Sequence, residues 1–226
     1  MRNSFVILLL YISLSLSGAT YYIDPSGNNA NTGSVSSPWK TLSYACSRVN
    51  NPGDIIHVNA GTYVEISQSN LAVGVSIMGE GVTSIILSHI SSASWTIQLY
   101  STSEGTKGNQ QISYIKMDGD NLTGNRCIGI FKRSNVEIHH CTFVDFRSRG
   151  IMFDANATGV QPAIYSTGNK FHDNIVKNCS SYDPPNTADA GLYALGINGQ
   201  QGMRVYDNVL DQTSRSAGSN GFLIKI

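Results

Sequence analysis

Ile112-Ser-Tyr-Ile-Lys-Met117, Ile138-His-His-Cys-Thr-Phe143, Phe171-His-Asp-Asn-Ile-Val176 and Val205-Tyr-Asp-Asn-Val-Leu210 align without gaps. With starts at 112, 138, 171 and 205, they lie 26, 33 and 34 residues apart. Each has an apolar residue at its first and sixth positions. Alternation continues upstream in Val136-Glu137-Ile138 and Met203-Arg204-Val205, the two-residue period of a strand with one buried face. After the last three segments comes a glycine and a further apolar strand: Gly150-Ile-Met-Phe153, Gly191-Leu-Tyr-Ala-Leu195 and Gly221-Phe-Leu-Ile224. Constant strands joined by variable connections are the signature of a solenoid, in which loop insertions leave the stack undisturbed.

The fourth position of the repeat reads Ile115, Cys141, Asn174 and Asn208. Asparagines recurring at one register predict a stacked ladder at a tight turn, each side chain bonding the backbone of a neighbouring coil. An active-site asparagine is the competing reading, and the recurrence favours structure. Cys141 then fills a small, buried ladder slot.

Outward from the repeat, Ser37-Pro-Trp-Lys-Thr-Leu-Ser-Tyr-Ala-Cys-Ser-Arg-Val49 predicts one helix, capped by Ser37, with Leu42, Ala45, Cys46 and Val49 on one face. Its role would be to plug the open end of the solenoid. Residues 1–19 read as a signal peptide: Arg2, an apolar run from Phe5 to Leu16, then small residues, with the mature chain expected to begin at Thr20. Residues 20–226 read as the β-helix domain. Since Gly221-Phe-Leu-Ile-Lys-Ile226 lies inside an apparent strand, the domain is expected to be incomplete at its C-terminus.

Composition narrows the function. Fifteen basic and fifteen acidic residues give zero formal charge, and charged residues make up 13% of 226. Electrostatic capture of nucleic acid is therefore not expected. Gly, Asn and Ser supply 22, 20 and 29 residues against 41% hydrophobic residues, too many turn formers for a helical bundle and too apolar for a disordered chain. The four cysteines lack zinc spacing and read as buried thiols. A soluble or surface-bound exported monomer is expected, with no membrane span after signal cleavage.

Tyr21-Tyr-Ile-Asp-Pro-Ser-Gly, Asn31-Thr-Gly-Ser, Ser37-Pro-Trp-Lys-Thr-Leu and Pro52-Gly-Asp-Ile-Ile-His-Val-Asn-Ala-Gly-Thr-Tyr63 together resemble the amino-terminal region of secreted right-handed parallel β-helix proteins of the pectate-lyase-like superfamily. The resemblance is close over residues 20–65 and loose to residue 226. It implies an all-β, right-handed parallel β-helix with an N-terminal capping helix, secreted or on the cell surface. It further implies acidic polysaccharide as substrate, cleaved by β-elimination with a basic residue and a cation, calcium being the candidate cofactor. A noncatalytic adhesion scaffold on the same fold is the alternative. Arg147 and Arg149, flanking a turn, are the candidate catalytic residues. Tyr182, on the longest insertion, is the candidate sugar-stacking residue. Asp173 and Asp207, one coil apart, and Asp183 and Asp189, beside Tyr182, are the candidate calcium ligands. His139, His140 and His172 lack the carboxylate spacing of a zinc site.

Overall fold

The computed structural model describes residues 18–90, 94–122, 125–158, 160–180, 193–212 and 222–226. The chain winds through three parallel sheets of seven, six and six strands in these residues, visiting them in a fixed order. Arg133–His139 of the first sheet is followed by Thr142–Val144 of the second and Arg149–Asp154 of the third. The next coil repeats the circuit with Lys170–His172, Ile175–Lys177 and Tyr193–Asn198. The pairings between successive coils are parallel, and crossovers between parallel strands of one sheet are right-handed as a rule, because twisted strands pack back onto the sheet that way. The molecule is a right-handed parallel β-helix.

The register is the one in the repeat. Ile138 pairs with Ile112 on one side and Phe171 on the other, and Phe171 pairs with Val205. Phe143 stands between Met117 and Val176. Ile112, Ile138, Phe171, Met117, Phe143 and Val176 are fully buried, so in the first three segments the first and sixth repeat positions form two columns of the core, whereas in the fourth Val205 is exposed and Leu210 half-buried. Between them the chain turns from first to second sheet on a single left-handed residue: Tyr114, His140, Asp173 or Asp207, with φ of 56°, 55°, 54° and 52°. A left-handed L-residue costs about 1–2 kcal/mol, which is offset here by the neighbouring ladder position. Asn174 Oδ1 accepts from Cys141 N at 3.0 Å, and Asn174 Nδ2 donates to Ile138 O at 3.0 Å. Asn208 Oδ1 accepts from Asn174 N at 3.0 Å, and Asn208 Nδ2 donates to Phe171 O at 2.9 Å. Replacing Asn174, which is buried, with Leu strands these backbone groups at about 1–3 kcal/mol for each unpaired group. Asn208→Leu, closer to solvent, is expected to cost less. Urea denaturation measures both; equal or unchanged midpoints would contradict the ladder's role.

Two sequence expectations need correction. The helix runs only from Leu42 to Arg48, with Thr41 rather than Ser37 as its cap. Pro38 and Trp39 stay extended because Trp39 pairs through its backbone with the first strand: Trp39 N donates to Tyr22 O at 3.0 Å and Asp24 N to Trp39 O at 2.8 Å. The indole stacks on Tyr21 at 5.3 Å and donates to Asn31 O at 2.8 Å. The helix still buries Leu42, Ala45, Cys46 and the adjoining Val49 against the first coil. Nor do the glycines before the third-sheet strands align. Arg149 pairs with Tyr193, which pairs with Phe222, so Gly150 faces Ala194, and Gly191 and Gly221 lie outside the described residues. Gly150 is required for a local reason: a Cβ there would meet Ala194 O at 2.0 Å. All four cysteines are buried free thiols.

Candidate functional site

The outer face of the third sheet carries a row of four residues paired coil to coil, Trp95, Arg126, Arg149 and Tyr193. In the Arg126 strand the next two residues, Cys127 and Ile128, are both buried, which breaks strict alternation and brings Gly129 back to the outer face. Here Gly129 and Gly196 flank Met152 in register. Both glycines are needed because rings lie across the sheet above them. A Cβ on Gly129 would sit 2.4 Å from Phe131 and 2.8 Å from Trp95; on Gly196 it would sit 2.5 Å from the Met152 sulfur and 2.7 Å from Tyr193. A third outer row holds Tyr100, Phe131 and Asp154. The result is a cleft of about 470 Å³ with a glycine-hollowed floor, aromatic walls and two guanidinium groups.

Each arginine is laid on a ring. Arg126 lies 5.8 Å from the centre of Trp95 and Arg149 lies 5.6 Å from that of Tyr193, cation–π arrangements that hold the planar groups in place. Trp95 meets Phe131 edge-on at 5.7 Å. Burial pushes the Tyr193 phenol up to about 12, with Arg149 and Arg126 acting in the opposite sense, so Tyr193 enters the site as a neutral hydroxyl. Asp154 Oδ1 is fixed by Asn156 N and Asn198 Nδ2, both at 2.9 Å. The segment after Asp154 brings Ala157 and Thr158 to the cleft, and Glu104 holds it by accepting from Asn156 Nδ2 at 3.0 Å and Ile164 N at 2.8 Å. A larger hollow of about 640 Å³ on the first sheet has no aromatic lining, and its one cation, Lys170, is paired with Glu137 at 3.3 Å.

Of the residues singled out from sequence, Arg149 lines this cleft. Arg147 is half-buried on the loop leading into the Arg149 strand and does not line it. Tyr182, Asp183 and Asp189 lie outside the described residues. Asp173 and Asp207 occupy the left-handed corner between the first and second sheets, and Asp173 Oδ2 is 2.7 Å from His172 Nδ1. Among the described residues no group of three His, Cys, Asp or Glu side chains converges as a metal site. Sequence reading missed Trp95, Arg126 and Tyr193. Their one signal, an aromatic or arginine at each coil, is spread from 95 to 126 to 149 to 193 by unequal loops.

On the first sheet, His139, His172 and Tyr206 stack coil on coil, with centroids 5.2 and 4.6 Å apart and planes within 4°. His172 Nε2 and Nδ1 each lie 2.7 Å from a carboxylate, Glu137 and Asp173 respectively. Burial opposes the charge on His172, but bonds to Asp173 and Glu137 outweigh it and raise its pKa above the usual value. His139, packed on His172, is shifted down by burial and by His140. A raised histidine stabilises the fold fully below its unfolded pKa, about 6.5, and loses that contribution as pH rises through the folded value. The melting-temperature gap between wild type and His172→Gln is therefore expected to be widest near pH 6 and to narrow in alkali, with Lys170 the remaining partner of Glu137. A gap independent of pH would show that the imidazolium contributes nothing.

Comparisons with known proteins place the fold. The chain is similar to ORF18 of Geobacillus virus E2, with TM-score 0.50 and 13% identity, covering 75% of this chain and 37% of that one. It is similar to an alginate lyase from Paenibacillus sp. str. FPU-7, with TM-score 0.44 and 15% identity over 73% and 54% of the two chains. It is also similar to a rhamnogalacturonan lyase, with TM-score 0.39 and 14% identity over 91% and 61%. The chain thus spans between 37% and 61% of the length of these three proteins. At such identities the likeness concerns the fold. No curated protein matches the sequence. The family model described as protein of unknown function (DUF1565) matches residues 25–188, more than half of the sequence, and the chain belongs to that family.

Proposed function

We propose that the third-sheet cleft binds acidic polysaccharide and, in the finer reading, cleaves it by β-elimination. The observation that carries the reading is the Arg126–Arg149 pair, one coil apart and each braced on an aromatic ring. Adjacent strands are about 4.8 Å apart, so the two forks offer bidentate donors to carboxylates along one chain. Trp95 and Tyr193 present rings against which the apolar faces of sugars pack. In the elimination, Arg126 and Arg149 neutralise a uronate carboxylate and stabilise the anion that forms when the adjacent proton leaves. Asp154 is assigned as acceptor of that proton. The released electron pair forms the ring double bond, and the glycosidic oxygen leaves, taking a proton from water.

Calcium is the cofactor in this reading, with Asp173, Asp207, Asp183 and Asp189 as its candidate ligands. The test incubates the protein with uronate polymers, with and without a chelator, while following ultraviolet absorbance of unsaturated products and retention in affinity gels. Arg126→Ala and Arg149→Ala are each expected to weaken retention about tenfold or more, given about 1.5–3 kcal/mol for a hydrogen bond to a charged group. Retention without unsaturated products supports the scaffold alternative, and unchanged retention in both variants overturns the cleft.

A further inference from the structure

The cations lining the third-sheet cleft are confined to its middle. Along the row Trp95, Arg126, Arg149, Tyr193, which spans roughly 14 Å of the stack, only the two central positions are cationic. The outer two are a buried indole and a buried, neutral phenol. Gln98, Gly129, Met152 and Gly196 follow in register beside them, and the row of Tyr100, Phe131 and Asp154 adds one carboxylate. Lys132 does not line the cleft; it lies 5.7 Å from the centre of the Tyr100 ring and is drawn towards Glu104.

The end beside Trp95 is built for hydrogen bonding without charge. Trp95 N, an obligate donor, gives its hydrogen to Gln68 Oε1 at 3.1 Å, which fixes the orientation of that amide. Gln68 Nε2 then donates to Gln98 Oε1 at 3.0 Å and to Asn70 Oδ1 at 2.8 Å. Gln98 thus brings to the cleft an amino group that no other described residue engages. Such a donor gives a sugar hydroxyl a full partner. A carboxylate set against it and the indole would lose water without gaining a counter-charge.

A pyranose unit is about as long as one coil is high, so consecutive sugars of a chain lying along the stack meet successive coils. An uninterrupted polyuronate would set carboxylates against Trp95 and Gln98 at one end and Tyr193 at the other. Neither end offers a lining cation, and Asp154 repels a further anion. We infer, on the reading of the cleft as an acidic-polysaccharide site, that it selects a chain in which a uronate held by Arg126 and Arg149 is flanked by neutral sugars. Gln98 is the residue that recognises the neutral neighbour.

Polygalacturonate and alginate, with their carboxylates reduced to primary alcohols to increasing extents, test this in affinity gels at physiological salt, where long-range attraction is screened. Retention is expected to rise from the unreduced polymer to intermediate reduction and to vanish at full reduction. A steady fall with reduction would overturn the inference and leave the cleft reading intact. No retention by any member of either series would overturn the cleft reading, and the inference with it. Gln98→Arg adds a readout that a merely structural role would not move. Its guanidinium is expected to raise retention of the unreduced polymer about tenfold, the effect of one added hydrogen bond between charged groups, and so to shift the preference towards that polymer. An unchanged preference in a folded Gln98→Arg protein would overturn the role given to Gln98. Gln98→Lys carries the same test if the arginine variant does not fold.

Discussion

Arg133→Met is expected to destabilise the fold by about 3–5 kcal/mol, because several buried acceptors lose their donor at about 1–3 kcal/mol each. Arg133 is 2% exposed, and no carboxylate among the described residues contacts it. Its donors go to neutral acceptors from three earlier coils. Nη1 reaches Leu71 O and Gln110 Oε1, both at 3.0 Å; Nη2 reaches Tyr100 O at 2.6 Å; Nε reaches Ser101 Oγ at 3.0 Å. Burial lowers its pKa to about 10, still well above neutrality, so the group stays charged. The side chain is a pin through the corner where the third sheet passes to the first, and removing it leaves several buried acceptors unpaired at once. Lysine does not replace it, because a single ammonium cannot span acceptors arranged for a planar fork. Since Tyr100 also lines the cleft, Arg133→Met is expected to weaken polysaccharide retention along with stability. Guanidinium denaturation supplies the number. A loss under 1 kcal/mol, or full rescue by Arg133→Lys, would show that water satisfies these carbonyls instead.

The first and second sheets were legible because their shared corner is invariant. One left-handed residue and one ladder residue separate each pair of strands, so the six-residue segment keeps its length through every coil from Ile112 onward. The ladder followed from the same constancy: Asn174 and Asn208 could recur only if the backbone around them did. The last three strands of the third sheet were legible, at Arg149–Asp154, Tyr193–Asn198 and Phe222–Lys225, but their register was not, since they are reached through insertions of unequal length and the Arg126 strand contains a break in alternation at Cys127–Ile128. A reader of the sequence aligns glycines there, whereas the register follows Arg149 and Tyr193. That single shift hid the site. Arg149 was named for its place in a turn, but its partners Trp95, Arg126 and Tyr193 emerge only when the coils are stacked. The premature start given to the helix has the same origin, because Trp39 is held extended by Tyr22 and Asp24, residues that sequence spacing does not bring near it.

Removing the amino-terminal plug should have the largest effect on the molecule, and a chain starting at Asp54 is expected to aggregate rather than fold. Four losses coincide. Leu42, Ala45, Cys46 and Val49 no longer cover the first coil, so buried Ile56, Val58, Tyr63 and Leu71 lose apolar cover. Strand Ile55–Val58 loses its partner Thr20–Ile23 and becomes a bare edge, with backbone groups free to pair with another copy. Tyr63 loses Ile23 O, one of the two carbonyls that accept from its hydroxyl. Glu65, 1% exposed, loses the backbone donors Leu42 N and Ser43 N, at 2.6 and 3.2 Å, that make its burial tolerable. Burial already raises the Glu65 pKa despite those bonds, so the folded state binds its proton more tightly than the unfolded state and stability falls as pH rises from about 4.5. With the plug in place, Glu65→Gln should therefore flatten the stability profile above pH 4.5, while the chain starting at Asp54 should be insoluble at every pH. Light scattering and circular dichroism decide the outcome: a monodisperse, β-rich chain starting at Asp54 would mean that the coils are self-sufficient and that the helix does not serve as their cap.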